Sequence, residues 1–390
     1  MKVSIFGSTG SVGKTTIEVL QAQSESYDVQ VLTANSNFKL LAEQAKALNA
    51  KQVVIGDEQY EAQLKELLHD TDIIVTSGQD AVEQAANINA DWIMMAITGM
   101  VGLKPVLNAI KQGKKVAIAN KEPLVAAGKL AMAEAQKSGC TILPVDSEHN
   151  AIFQVFEREH KNAIEKIILT ASGGPFRTTP LPDMQSITVE QALAHPNWSM
   201  GRKISIDSAT MMNKALEIIE AHYLFGMPAD KIEVLVHSQS VVHSMVEYKD
   251  GSVLAQMGAS DMATPITNAL GYPARLTSPG QKLDLKQMKR LDFDEVDDDK
   301  FPAIQLAYQC LEQGQEACIA LNAANEVAVS AFLNHKIAFL DIYDIVESAV
   351  NNRPKGNVTD LDSICDYDNI VRKSVESTIL SGQGSKTASL

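Results

Sequence analysis

Two hydrophobic periods alternate along the first 145 residues. Short apolar or β-branched runs recur: Val3-Ser4-Ile5-Phe6, Val29-Gln30-Val31-Leu32, Gln52-Val53-Val54-Ile55, Ile73-Ile74-Val75, Trp92-Ile93-Met94-Met95-Ala96, Val116-Ala117-Ile118 and Ile142-Leu143-Pro144-Val145. Stretches of helical composition, such as Asn37 to Leu48 and Tyr60 to Leu68, lie between them. Strands that are apolar almost throughout are buried on both faces, and the intervening helices are what bury them. The pattern predicts a doubly wound parallel sheet, a Rossmann-like N-terminal domain in an α/β chain.

The pattern changes after Val145. Ala163 to Thr170, Lys231 to His237, Val241 to Tyr248 and Ser252 to Met257 read as longer strands, with Lys249-Asp250-Gly251 as a hairpin turn. An α+β domain with an antiparallel or mixed sheet follows from them. Gly271 to about Lys300 is rich in Pro, Gly, Asp and Lys and reads as a linker, whereas Phe301 to Val350 is strongly helical. The expected boundaries are 1–145, 146–275, a linker at 276–300 and a helical domain at 301–390, with a loose tail from Gln383.

Bulk properties narrow the field. A chain of 390 residues exceeds the usual single domain. Its net charge of −14, from 34 basic and 48 acidic side chains, argues against nucleic acid as a partner. A local basic pocket can still hold a small anion. No apolar run approaches the roughly 20 residues that cross a bilayer, and Met1 leads straight into the first strand without a separate leader. Cys140, Cys310, Cys318 and Cys365 match neither a disulfide framework nor a zinc site, which fits a reducing cytoplasm.

The first strand runs into Gly7-Ser8-Thr9-Gly10-Ser11-Val12-Gly13 and then a helix from Lys14 to Ala22. Glycines three apart allow a tight turn, close approach of backbone to a pyrophosphate and close helix–sheet packing. The alternative is a tight strand–helix turn that binds nothing. The second strand ends at Ala34-Asn35-Ser36-Asn37, with no acid to hold a ribose 2′-hydroxyl or repel a 2′-phosphate. That favours NADPH over NADH.

Asp146-Ser147-Glu148-His149 follows the last parallel strand, at the carboxyl edge where open α/β sheets gather ligands. Asp146 and Glu148 suit Mg²⁺ or Mn²⁺, and equally suit solvated loop acids or helix caps. In Asp207-Ser208-Ala209-Thr210-Met211-Met212-Asn213-Lys214-Ala215-Leu216-Glu217, a helix starting near Thr210 makes neighbours of Asn213, Lys214 and Glu217. Glu217 is then a third carboxylate for a cation, and Ser208, Asn213 and Lys214 hold a phosphate; the alternative is an ordinary capped amphipathic helix. Lys121, in Asn120-Lys121-Glu122 after another strand, can stabilise developing negative charge. Ser172-Gly173-Gly174-Pro175-Phe176 offers backbone donors beside Ser172. His195-Pro196-Asn197-Trp198-Ser199-Met200-Gly201 reads either as a water-excluding lid or as a packing turn.

Jointly these segments resemble the 1-deoxy-D-xylulose 5-phosphate reductoisomerase family over essentially the whole chain, and Leu321-Asn322-Ala323-Ala324-Asn325-Glu326 fits as well. The resemblance implies a homodimer of three-domain subunits: an NADPH-binding domain, a catalytic and dimerisation domain and a C-terminal helical domain. It implies that Asp146, Glu148 and Glu217 ligate Mg²⁺ or Mn²⁺. Ser172, Ser208, Asn213 and Lys214 would hold the phosphate of a small phosphorylated sugar, Lys121 and Ser147 would contact its backbone, and His195 and Trp198 would close over it. The cofactor set it implies is Thr9, Gly10, Ser11, Val12, Asn37, Asn120, Glu122 and Gly201, with Asn35 and Ser36 beside it. Where the family often has Gly and a basic residue before that asparagine, this chain has Asn35 and Ser36. The implied reaction is a metal-assisted skeletal rearrangement, by retro-aldol/aldol or 1,2-shift, then hydride transfer that gives 2-C-methyl-D-erythritol 4-phosphate. The rival is an NAD(P)-dependent dehydrogenase of a semialdehyde or polyol phosphate; a non-catalytic NADPH sensor is a more distant one.

Overall fold

The computed structural model describes residues 1–23, 27–198 and 200–381; motif position Ser199 and the tail from Gln383 lie outside the described residues. The chain begins β1 (Lys2–Phe6), α1 (Ser11–Gln21), β2 (Asp28–Ala34), α2 (Phe38–Leu48), β3 (Gln52–Ile55), α3 (Glu61–Leu67) and β4 (Ile74–Ser77). It continues α4 (Gln79–Ala85), β5 (Trp92–Met95), α5 (Leu103–Lys111), β6 (Lys115–Ile118), α6 (Glu122–Ser138), β7 (Thr141–Pro144) and α7 (Ser147–Val155). Then come β8 (Ile164–Ala171), α8 (Val189–Leu193), α9 (Arg202–Ala209), α10 (Met212–Phe225), β9 (Ile232–Val236), β10 (Val242–Tyr248) and β11 (Val253–Met257). The last helices are α11 (Ala263–Gly271), α12 (Ala303–Gln313), α13 (Gln315–Leu333), α14 (Asp341–Asn351) and α15 (Leu361–Leu380).

Two compact units result. The first comprises Met1–Pro123, Ala131–Gln154 and Asp261–Lys282, and the second Leu124–Leu130, Val155–Ser260 and Leu283–Leu390. The first holds a seven-stranded sheet in the order β4-β3-β2-β1-β5-β6-β7, parallel throughout. Its central strands are buried on both faces, as their nearly continuous apolar runs require. The order reverses at β1, which opens a crevice beyond the carboxyl ends of β1 and β5.

These units cut across the linear boundaries read from the sequence. Helices α7 and α11 join the parallel sheet because their partners lie there. Trp92, fully buried in β5, donates its indole N–H to the Ala269 carbonyl at 3.0 Å. Asn150 of α7 donates to the Pro144 carbonyl at 2.9 Å and to the Asn268 side chain at 3.1 Å. Phe153 packs edge-on against Tyr272.

The second unit contains a mixed sheet in the order β11-β10-β8-β9, in which only β8 and β9 are parallel. Asp250 and Gly251 turn the β10–β11 hairpin as expected, with the Ser252 amide bonded to the Asp250 carboxylate at 2.9 Å. Helices α12 to α15 gather around α13, which is buried along most of its length. Helix α13 is also the one described helix long and apolar enough to span a bilayer, and it owes that character to its place in a protein core. Burial pushes the Cys310 thiol up to about 12 and that of Cys318 far above its ordinary value, so both act as apolar filler.

Candidate active site

In the first unit, the glycine turn sits at the reversal of the strand order. Gly7 has φ +83°, and a Cβ there would lie 2.5 Å from the Ala96 carbonyl oxygen that follows β5. A Cβ on Gly13 would collide with the Gly7 carbonyl and the Ser8 backbone, so α1 packs against the turn only if position 13 has no side chain. Gly7 and Ser8 donate backbone N–H groups to the Thr33 hydroxyl and carbonyl, at 2.9 and 2.8 Å, which fix the turn beside β2. Gly10 is the N-cap of α1; no side chain caps that end and no acid occupies its first turn. The Gly10 amide closes the turn onto the Gly7 carbonyl at 3.1 Å, and the helix end beyond it has no side-chain cap.

Asn35, Ser36 and Asn37 are exposed at the end of β2, and the Asn37 side chain accepts from the Leu40 amide at 3.3 Å as the N-cap of α2. Asn120, after β6, is only 7% exposed, yet neither atom of its amide has a partner among the described residues. Such a group is costly unless a ligand satisfies it. Glu122 is buried beside it at the start of α6.

The acids lie one strand further on. Asp146 receives the Lys121 ammonium at 2.8 Å and approaches His149 Nδ1 at 3.7 Å. Glu148, in the first turn of α7, accepts a 2.5 Å hydrogen bond from the Ser147 hydroxyl. Both carboxylates are half-buried, while His149 is fully buried one helical turn after Asp146. His149 carries no local sequence signal beyond its three-residue spacing from Asp146.

Ser172, Ser208, Asn213 and Lys214, the residues expected to hold phosphate, all belong to the second unit. Gly173 and Gly174, at φ +77° and +64°, turn the chain sharply after β8. A Cβ on Gly174 would lie 2.7 Å from the Ser208 carbonyl, so a bare backbone is what lets the Ser172 turn reach the end of α9. Ser172 Oγ stands 3.1 Å from His195 Nε2. The other ring nitrogen, Nδ1, accepts the backbone N–H groups of Asn197 and Trp198 at 3.2 and 3.0 Å, which places a proton on Nε2 and makes it the donor to Ser172. Trp198 is half-buried, its ring centroid 6.2 Å from that of His243. Gly201 is the N-cap of α9 in this unit and has open space around its Cα.

The helix expected to begin near Thr210 begins at Met212, and Ser208 lies in the last turn of the preceding α9. Met211 at φ +60° breaks the helix, and the Thr210 hydroxyl accepts the Met212 amide at 3.3 Å. Beyond the break the expected side-chain neighbours do meet. Asn213 donates to Glu217 at 2.6 Å, and the Lys214 ammonium pairs with the same carboxylate. Lys214 and Glu217 are 3% and 0% exposed, so each charge depends on the other or on a ligand.

A glycine turn at the point where the strand order of a parallel sheet reverses defines the class: a Rossmann-like nucleotide fold. Residues 3–128, 142–225 and 257–374 match models described as 1-deoxy-D-xylulose 5-phosphate reductoisomerase, that enzyme's C-terminal domain and DXP reductoisomerase C-terminal domain, respectively. The reductoisomerase of Rhodospirillum centenum is 52% identical over 98% of this chain and 96% of its own, and that of Zymomonas mobilis 50% over 95% of each. The solved Zymomonas mobilis enzyme in complex with NADPH superposes with a TM-score of 0.92 at 47% identity, covering 97% of this chain and 99% of that one. A DOX-P reductoisomerase in complex with NADPH, fosmidomycin and magnesium gives 0.94 at 41% identity over 99% and 100%. The chain belongs to the 1-deoxy-D-xylulose 5-phosphate reductoisomerase family.

Proposed function

We propose that this enzyme converts 1-deoxy-D-xylulose 5-phosphate into 2-C-methyl-D-erythritol 4-phosphate, using NADPH and Mg²⁺ or Mn²⁺. The observation that carries the reading is 52% identity to a reductoisomerase across nearly the full length of both chains. The residues present fit both groups. For the nucleotide, there is an uncapped glycine turn and a buried Asn120 with an unmet amide. For the cation, Asp146, Glu148 and Glu217 would supply carboxylate oxygens, the donors that hard divalent ions take. When bound, the cation contributes Lewis-acid polarisation of substrate oxygens and NADPH contributes the hydride.

The protein's own groups do the rest. Ser172, Ser208, Asn213 and Lys214 grip the phosphate, and this remote binding energy orients the reacting carbons. Lys121, held by Asp146, faces negative charge that develops on the substrate oxygens. Ser147 contacts the substrate backbone. His195 donates from Nε2, and with Trp198 it excludes water over the substrate. Thr9 to Val12, Asn35 to Asn37, Asn120, Glu122 and Gly201 serve the cofactor.

By chain position, 1–145 binds NADPH, 146–275 carries catalysis and dimerisation, and 301–390 is the helical domain after the 276–300 linker. A homodimer is supported by β11, an edge strand on which Val253 and Leu254 are 48% and 41% exposed. Four cysteines without a disulfide accord with a cytoplasmic setting.

Incubation with 1-deoxy-D-xylulose 5-phosphate, NADPH and Mn²⁺ should yield the branched polyol phosphate by NMR, and EDTA should stop it. An unbranched reduced product would instead establish the simple dehydrogenase. Gly13→Ala should weaken NADPH binding at least about tenfold in a fluorescence titration, because α1 can no longer close on the turn. Unchanged binding would remove the glycine turn from the cofactor site.

A further inference from the structure

The Leu321–Glu326 motif lies on α13, within the helical domain, and the reaction described above gives it no task. Asn325 is fully buried, and its Nδ2 donates to Asp207 Oδ1 at 2.8 Å. Its Oδ1 has no hydrogen-bond partner among the described residues. A buried asparagine with half its amide unmet is a poor choice for stability, since leucine of similar size avoids the desolvation. The single bond it makes is therefore the feature to explain.

That bond holds an unusual carboxylate. Asp207 is 1% exposed, and its other oxygen takes the Lys203 ammonium at 2.8 Å. Cation and amide together hold both oxygens; Lys203 rides on α9 itself, so it is the Asn325 bond that ties the rotation of this short helix to α13. The next residue is Ser208, whose carbonyl packs against Gly174 in the Ser172 turn. Asp207 and Ser208 ride on the same short helix, so a rotation at Asp207 shifts Ser208 against the Gly174 backbone of the Ser172 turn. Helix α13 is itself anchored on its other side. Glu326 takes Arg372 of α15 at 2.8 Å and the Asn322 amide at 3.2 Å, while Arg372 also pairs with Asp368 at 2.6 Å.

We infer that Asn325 is a positioning residue for the phosphate pocket: it clamps Asp207 so that α9 presents Ser208 beside Ser172, with Glu326 and Arg372 holding the clamp itself. The helical domain thereby sets substrate affinity from outside the pocket. The inference deepens the proposed function and rests on its phosphate-pocket reading.

The test is calorimetric binding of inorganic phosphate to the full-length protein, with NADPH binding measured as a control. Asn325→Leu should weaken phosphate about tenfold and leave NADPH affinity within about twofold. Asn325→Asp keeps the shape but sets two carboxylates face to face, with the Lys203 ammonium already bonded to Asp207. Its deficit relative to the parent should be larger at pH 8 than at pH 6, where a shared proton restores a hydrogen bond. A role confined to packing would show no such pH-dependent deficit. The double exchange D207N/N325D, which rebuilds an amide–carboxylate bond in reverse, should recover part of the loss.

Lys214→Ala separates the two levels. Weakened phosphate in Lys214→Ala with unchanged affinity in Asn325→Leu overturns the positioning role and leaves the pocket standing. Unchanged affinity in both overturns the pocket and the clamp with it. If Asn325→Leu fails to fold, the pH comparison in Asn325→Asp decides, and equal deficits at both pH values count against the clamp.

Discussion

Glu217→Gln should lower turnover by at least about 100-fold while NADPH affinity stays within about twofold. Glutamine keeps the length of the side chain and can still bond Asn213, which now reaches Glu217 at 2.6 Å. What it removes is the negative charge, and with it one proposed ligand of the divalent cation. NADPH affinity should persist because the glycine turn belongs to the first unit and does not include position 217. The substitution also leaves Lys214 as a buried cation without its anion, and breaking such a pair costs about 3–5 kcal/mol. Thermal unfolding of the variant is therefore a necessary control. Steady-state rates across a Mg²⁺ titration are the deciding measurement, and near-normal turnover at modest Mg²⁺ would end the metal role of Glu217.

Lys214→Ala should raise the KM for the phosphorylated substrate by about 10- to 100-fold, which corresponds to losing one charge-assisted hydrogen bond worth about 1.5–3 kcal/mol. Turnover at saturating substrate should fall less than KM rises, because the phosphate lies remote from the bonds being made and broken. Some loss of turnover is expected, since Glu217 also loses its ammonium partner. A KM equal to that of the parent would show that Lys214 serves Glu217 alone.

Much of this architecture was readable from the chain. The seven parallel strands lie on or beside the mostly apolar runs that placed them, because a strand covered on both faces, as the central ones are, must be largely apolar on both. The glycine turn was equally plain, since Gly7 and Gly13 stand where a side chain would strike backbone. Asn213, Lys214 and Glu217 meet because the spacings of three and four that join them are local geometry of any helix. The break at Met211 was not readable: a methionine at φ +60° carries no compositional mark, and it is held there by the way α9 and α10 each pack. Nor was the membership of α11 in the first unit, which depends on Trp92 finding the Ala269 carbonyl 177 positions away.

The order of apolar and polar residues, with its glycines, was enough to determine the layer architecture, the nucleotide turn and the family, because each depends on spacing within a few turns of chain. Tertiary structure alone decided that Asp207 is clamped by Asn325, that Lys121 stands on Asp146, and that a bare Gly174 brings the Ser172 turn to Ser208. Those pairs join distant segments. The burial that makes each carboxylate depend on its partner exists only after the segments have packed, so no local pattern encodes it.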